Sequence, residues 1–224
     1  MENDRQLESP SMFGMIMSPR EQFEKIRQNP KVIVILITVT ILAIISALLA
    51  LESLDATLEA EMMGFSEDEL LIFTIITQIT TIVLATILPA IVILIAAAVY
   101  LLIAKIANTD VSFKQLFSML AYIGFVTGLG GLLNGILTYF IAGSDPEVPI
   151  TSLNSIIGME GPLGVLFSSI ELFSIWGIIL TAIGLQVVAK FSKGLAWGII
   201  IGFNVIMISI GMILVVIEQS LGTF

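Results

Sequence analysis

Long apolar runs separated by short polar segments dominate the chain. Residues 32–51 carry no charge, nor do residues 70–104, 116–142 or 195–217, and residues 163–189 carry one acid, Glu171. A bilayer core is about 30 Å thick and takes roughly 20 apolar residues to cross as a helix. These runs are far longer than the roughly 10-residue alternating segments of a membrane barrel. The pattern therefore predicts an all-α, polytopic membrane bundle.

The second run is too long for one simple crossing, since 35 residues at 1.5 Å rise make a helix of about 52 Å. It is either one long helix kinked at Pro89 or two short spans turning there. Charge separates the two, because cytoplasmic flanks are enriched in Lys and Arg. With five spans and the N-terminus inside, Arg5, Arg20, Lys25, Arg27, Lys31, Lys105, Lys114, Lys190 and Lys193 all fall inside. With six spans, Lys105, Lys114, Lys190 and Lys193 move outside. Five transmembrane helices are predicted, with the N-terminus cytoplasmic and the C-terminus outside. The spans are about 32–51, 82–104 with an outer extension from 70, 116–142, 163–189 and 195–217, within a membrane domain at 32–217. Residues 1–31 form a cytoplasmic segment and 218–224 an external tail. The first run follows 31 residues and is too long for a cleaved signal peptide, so it is expected to remain as an anchor. Thr74, Thr77, Gln78 and Thr81 place a polar stripe at helical spacing on the outer extension. It faces water or the bundle, or lines a substrate path.

Composition agrees: 57% of residues are hydrophobic and 12% charged, beyond what a soluble domain of this size can hide. Nine Lys+Arg against eighteen Asp+Glu give a formal charge of −9, which leaves no basic patch for nucleic acid. With no Cys and no His, the commonest general base and metal ligand is missing along with thiolate chemistry. The outer segments are acidic: Glu52, Asp55, Glu59, Glu61, Glu67, Asp68 and Glu69, then Asp145, Glu147 and Glu160. They form a solvated face or attract cationic ligands. No calcium-loop pattern accompanies them.

Ser18-Pro19-Arg20-Glu21 reads as a helix start, with Ser18 as cap, Pro19 at the first position and Glu21 closing a capping box. Asn29-Pro30 ends it. Phe23 and Ile26 share one face, so the segment reads as an amphipathic helix on the inner membrane surface. It serves as an anchor or as a docking site for a cytoplasmic partner.

Intramembrane enzyme chemistries lack their residues. There is no H-E-x-x-H, no nucleotide-binding G-x-x-x-x-G-K-[ST], no Glu-Glu pair, and no Asp inside a span. No catalytic residue, cofactor or metal is expected. Glu171 remains as the acid inside a span, without a basic partner in any span. Such residues default to functional hypotheses. It is read as protonated by desolvation or snorkelling outward, for anchoring or for proton or ligand handling. Asn134 and Asn204 are read as interhelical hydrogen-bond glue. Gly124, Gly128, Gly131, Gly135, Gly198 and Gly202 stand at G-x-x-x-G spacing, which permits close helix packing and leaves an oligomer open.

Three segments together resemble the bacterial branch of the Yip (Ypt-interacting) integral membrane protein family. Phe13 to Lys31, FGMIMSPREQFEKIRQNPK, is similar to its F-x-x-x-x-S-P-x-E-x-F-x-K-I-x-x-x-P opening. Val99 to Tyr122, VYLLIAKIANTDVSFKQLFSMLAY, is similar to its span, short loop, Phe-Lys-Gln and later Tyr. Ile170 to Leu185, IELFSIWGIILTAIGL, is similar to its D-L-F-x-I-W-x-x-x-L-x-x-I-G-L signature. Glu171 stands where the family usually has Asp, and no Pro follows Tyr122 where many members have one. The resemblance implies a five-span bundle with a cytoplasmic N-terminus in the bacterial plasma membrane. It also implies other membrane proteins as partners beside membrane lipid, since some bacterial members are linked with ABC-type exporters that protect against antimicrobial peptides. The leading expectation is a non-enzymatic accessory or scaffold protein. A small transporter using Glu171 and the Thr74–Thr81 stripe, and an envelope or lipid stress factor, are the alternatives.

Overall fold

A computed structural model describes residues 8–53, 64, 66–141 and 148–221. The described residues are helical throughout apart from turns and one isolated β-bridge. Four helices are long and apolar enough to cross a membrane, and a fifth, Leu172–Val187, is apolar but shorter. In chain order they are α1 (Gly14–Met17), α2 (Pro19–Gln28), α3 (Ile33–Ser53), α4 (Glu67–Ile106), α5 (Phe113–Phe140), α6 (Asn154–Ile157), α7 (Gly161–Ser169), α8 (Leu172–Val187) and α9 (Lys193–Leu221).

Helix α5 is the centre. Helices α1, α2, α3, α4 and α8 all pack on it, while α9 packs on α7 and α8. Half of the apolar window of α5 is buried, against 6% for α9 and 11% for α4. The exposed Ile, Val and Leu side chains of α4 and α9 present the apolar surface expected of lipid-facing helices. Local sequence sets the helix starts. Ser66 and Ser112 each accept from the backbone N–H three residues on, while Glu69 and Gln115 reach back, completing two capping boxes.

Helix α4 runs unbroken through Pro89 for 40 residues. That makes about 60 Å of helix. Of the two readings of the second run, the continuous helix is the one observed. Thr74, Thr77 and Thr81 are half-buried on it among exposed Leu71, Ile72, Ile75 and Ile76, whereas Gln78 is exposed. The threonines thus lie on the bundle side.

Two expectations are corrected. The fourth apolar run is not one helix: α7 ends at Ser169, and Ile170 and Glu171 leave helical geometry before α8 begins. Ser18 stands at the N-cap of α2, but its side chain makes no capping bond. Its hydroxyl donates to the Gly14 carbonyl at 3.4 Å, and Glu21 pairs with Lys25 at 2.8 Å instead of closing a box. Pro19 does begin α2.

The N-terminal segment does not lie free on a membrane surface. Met15, Phe23 and Ile26 are fully buried in the common core. Three α5 side chains pin its backbone: Gln115 Nε2 donates to the Arg27 carbonyl at 2.6 Å, Ser118 Oγ to Lys31 at 2.6 Å, and Tyr122 Oη to Pro10 at 3.0 Å. Glu8 and Glu21 both reach Lys25 Nζ at 2.8 Å. The Lys25 hydrogen bond and charge hold the Glu8 carboxyl below its ordinary pKa.

Candidate functional site

The break between α7 and α8 builds the most polar site among the described residues. Glu171 is the N-cap of α8. Its Oε1 accepts from the Phe173 N–H at 3.0 Å, and its Oε2 from the Ser174 N–H at 2.6 Å. A helix N-terminus has unpaired N–H groups and a positive dipole end, so a carboxylate is stabilised there. The expected acid within an apolar run is thus one whose two oxygens each accept a backbone donor of α8. The residue is 6% exposed.

A second segment closes on the break. Residues 148–153 run back to it, and Ser152 and Glu171 form an antiparallel β-bridge. The Leu153 N–H donates to the Ile170 carbonyl at 2.9 Å. The Thr151 hydroxyl lies 2.5 Å from Glu171 Oε1 and 3.0 Å from Asn134 Oδ1. It carries one proton, and the shorter, charge-assisted bond to Glu171 is the stronger. Asn134 still holds this segment, because its Oδ1 accepts the Thr151 N–H at 2.9 Å. Asn134 thus ties α5 to the returning loop. Asn204, read as interhelical glue, instead turns to the Ile200 carbonyl of its own helix at 2.8 Å.

Beside the clasp lies a cavity of about 330 Å³ whose polar lining includes Ser46, Asn134, Thr138, Ser168, Glu171 and Ser174. None of the Thr74–Thr81 stripe lines it. The two features expected to form one transport path are therefore separate.

The glycines divide. A Cβ at Gly124 would lie 3.6 Å from Val39 and Ile93, one at Gly128 3.3 Å from Leu42, one at Gly131 3.7 Å from Ser46, and one at Gly135 3.4 Å from Leu49. These four lay α5 against α3. Gly198 and Gly202 meet nothing within 4 Å, so they do not pack this bundle. The closest helix approaches fall outside the G-x-x-x-G pairs. A Cβ at Gly130 would clash with the Phe173 ring, one at Gly177 would lie 2.8 Å from Thr127, and one at Gly184 2.7 Å from Met119 Sδ. Together they let α8 cross α5.

Of the docking candidates, Phe23 and Ile26 are covered from within and Glu21 is paired. Of the outer acids, Asp55, Glu59, Glu61, Asp145 and Glu147 lie outside the described residues. Among the described residues, no group of His, Cys, Asp and Glu could hold a metal ion.

Comparison with known proteins gives a family and a relative. The Yip1 domain model matches residues 13–216. The chain is 32% identical over 193 residues to "Membrane protein YknW" of Bacillus subtilis (strain 168), covering 85% of this chain and 83% of that protein. No solved structure matches.

Proposed function

The chain belongs to the Yip1 domain family, and on that premise we propose that it is an accessory or scaffold protein of the bacterial plasma membrane, serving an ABC-type exporter that protects against antimicrobial peptides. Members of this family are generally non-enzymatic membrane proteins. One observation carries the scaffold over the transporter. The acid inside the apolar runs caps α8 and holds the returning loop, and the threonine stripe does not line its cavity. A proton-coupled carrier needs an ionisable group that exchanges partners, whereas the Glu171 oxygens already accept the Phe173 and Ser174 N–H groups and the Thr151 hydroxyl.

The topology we propose has five crossings, with the N-terminus inside. The helix order supports it: Lys31, Lys105, Lys114, Lys190 and Lys193 all stand at helix ends on the side of the N-terminal segment. A reporter fused after Asp110 is expected to be active inside the cell and one after Phe224 outside. An external signal at Asp110 would require residues 70–104 to cross twice.

The functional experiment uses the full chain purified from native membranes and again in liposomes. The reading expects an exporter's nucleotide-binding subunit to co-purify in stoichiometric amount, and the chain alone to move no solute. Proton-coupled solute flux by the purified chain would overturn it in favour of the permease.

A further inference from the structure

At the basic end of the bundle, α2 and the end of α8 border a second, open cavity of about 390 Å³, lined by Glu24, Arg27, Gln28, Val187 and Lys190. We propose that this cavity clasps the phosphate of an anionic phospholipid headgroup between Arg27 and Lys190.

Charge pairing supplies the first argument. The described ion pairs are Arg20–Glu24, Lys25–Glu8 and Lys25–Glu21. Arg27 and Lys190 are in none of them, although acids outnumber bases two to one in this chain. Two unpaired cations lining one cavity repel each other, and a phosphodiester between them removes that cost and accepts their N–H donors.

Backbone conformation supplies the second. Lys190 follows α8 with φ of 58°, in the left-handed region. Gly or Asn ordinarily takes such a position, because a β-carbon is crowded there. The chain follows that preference after α4, where Asn108 has φ of 52°. After α8 it keeps a lysine at the position where a glycine would fit with less strain.

Position supplies the third. Arg27 lies in the last turn of α2 and Lys190 just beyond the end of α8, two helices that pack together at the end of a membrane bundle, at headgroup level. Basic pockets between membrane helices on the cytoplasmic side are where anionic headgroups bind. Gln28 adds an amide donor to the lining. Glu24 stands in the same lining and opposes the phosphate, so it sets a sign that can be tested.

The test is native mass spectrometry of the purified full chain. It is incubated with vesicles of phosphatidylcholine alone, with vesicles also containing phosphatidylglycerol, or with inorganic phosphate. Wild type should retain phosphatidylglycerol over phosphatidylcholine. Arg27→Gln and Lys190→Gln should each cut that preference about fivefold, since one basic residue near a membrane surface has about that worth. Glu24→Gln should raise it. Lys105→Gln with Lys114→Gln removes two charges from the same end but outside the cavity, and should leave the preference unchanged. Should Lys190→Gln fail to fold, Lys190→Gly serves, because it relieves the left-handed backbone: it should melt higher yet retain less lipid. Equal loss in the Lys105/Lys114 control would overturn the site, leaving only general surface charge. Saturation by inorganic phosphate with no lipid retained would overturn the lipid as its ligand.

Discussion

Helix α5 holds a returning segment at each of its ends, and the two clasps are built on opposite plans. At the basic end, Gln115, Ser118 and Tyr122 donate to three separate carbonyls spread from Pro10 to Lys31. Beneath them Met15, Phe23 and Ile26 are fully buried. At the far end the bonds converge. The backbone donors of Phe173 and Ser174 and the hydroxyl of Thr151 all meet one carboxylate, Glu171. The basic clasp is distributed and rests on apolar burial. The far clasp is polar and centres on Glu171, with the Asn134 and Leu153–Ile170 bonds as its other ties and a cavity beside it. Loss of one polar side chain should therefore cost less at the first than loss of the Glu171 carboxylate costs at the second.

The largest effect should come from the apolar base of the distributed clasp. Phe23→Ala leaves a void against Gly184 and Met119, and phenylalanine truncations in packed interiors cost about 3–5 kcal/mol. The N-terminal segment should detach, and protease should cut within residues 8–31 at an unchanged rate elsewhere. If Phe23→Ala melts like wild type, the segment is held by its polar bonds and the contrast between the clasps is wrong.

Next comes Glu171. Gln keeps the length but presents an amide N–H₂ toward groups that are themselves donors. At least one buried donor then loses its acceptor, at about 1–3 kcal/mol. Asp keeps the carboxylate and is a better N-cap than most residues, though it withdraws from Thr151. At equal membrane abundance we expect Gln to lower thermal stability and function more than Asp. If Gln equals wild type while Asp fails, side-chain reach to Thr151 is what the site requires.

This site was half legible. Acid in a span was visible as costly, and the helical periodicity of 163–189 concealed the break, because both halves are apolar and no Pro or Gly marks residues 170–171. One signal was present. The family resemblance puts Asp at this position, and Asp is among the preferred N-caps, so an acid there fits a helix start. Thr151 could not be found, since its partner lies 20 residues on and no local rule joins them. The basic end was more legible in residues than in role. Phe23 and Ile26 stood out as one apolar face, but amphipathicity alone does not say whether lipid or protein covers it. Likewise, G-x-x-x-G spacing found the four glycines facing α3 and missed Gly130, Gly177 and Gly184, because a tight crossing needs one small residue opposite a large one, not a repeat.

A smaller effect tests redundancy at the basic end. Tyr122→Phe removes the hydrogen bond to the Pro10 carbonyl and nothing else of the ring's packing. One neutral bond has a net worth of about 1 kcal/mol. The melt should shift slightly, and amide exchange should rise near Ser11 while Gln115 and Ser118 keep residues 27–31 protected. Release of the whole segment by this one change would show the basic clasp to be as concentrated as the far one.

The smallest effect belongs to the ion pair at the rim of the basic clasp. Lys25 Nζ is 2.8 Å from both Glu8 and Glu21. Glu8 is held below its ordinary pKa by its Lys25 hydrogen bond first and charge second. Lys25 is raised by its Glu21 and Glu8 hydrogen bonds. A depressed carboxyl contributes stability that is present above its unfolded pKa and lost as pH falls through the folded one. A raised lysine contributes stability that is present below its unfolded pKa and lost as pH rises through the folded one. The pair is therefore intact across neutral pH and fails at both extremes. Both carboxylates are exposed although the Lys25 side chain is mostly covered, and pairs at such a surface contribute little and are screened by salt. Glu8→Gln should leave the melt at neutral pH unchanged and abolish any acid-induced rise in exchange at residues 8–11. If wild type and Glu8→Gln lose the N-terminal segment at the same acid pH, the ion pair plays no part, and burial of Met15, Phe23 and Ile26 with the three α5 bonds accounts for the clasp by itself.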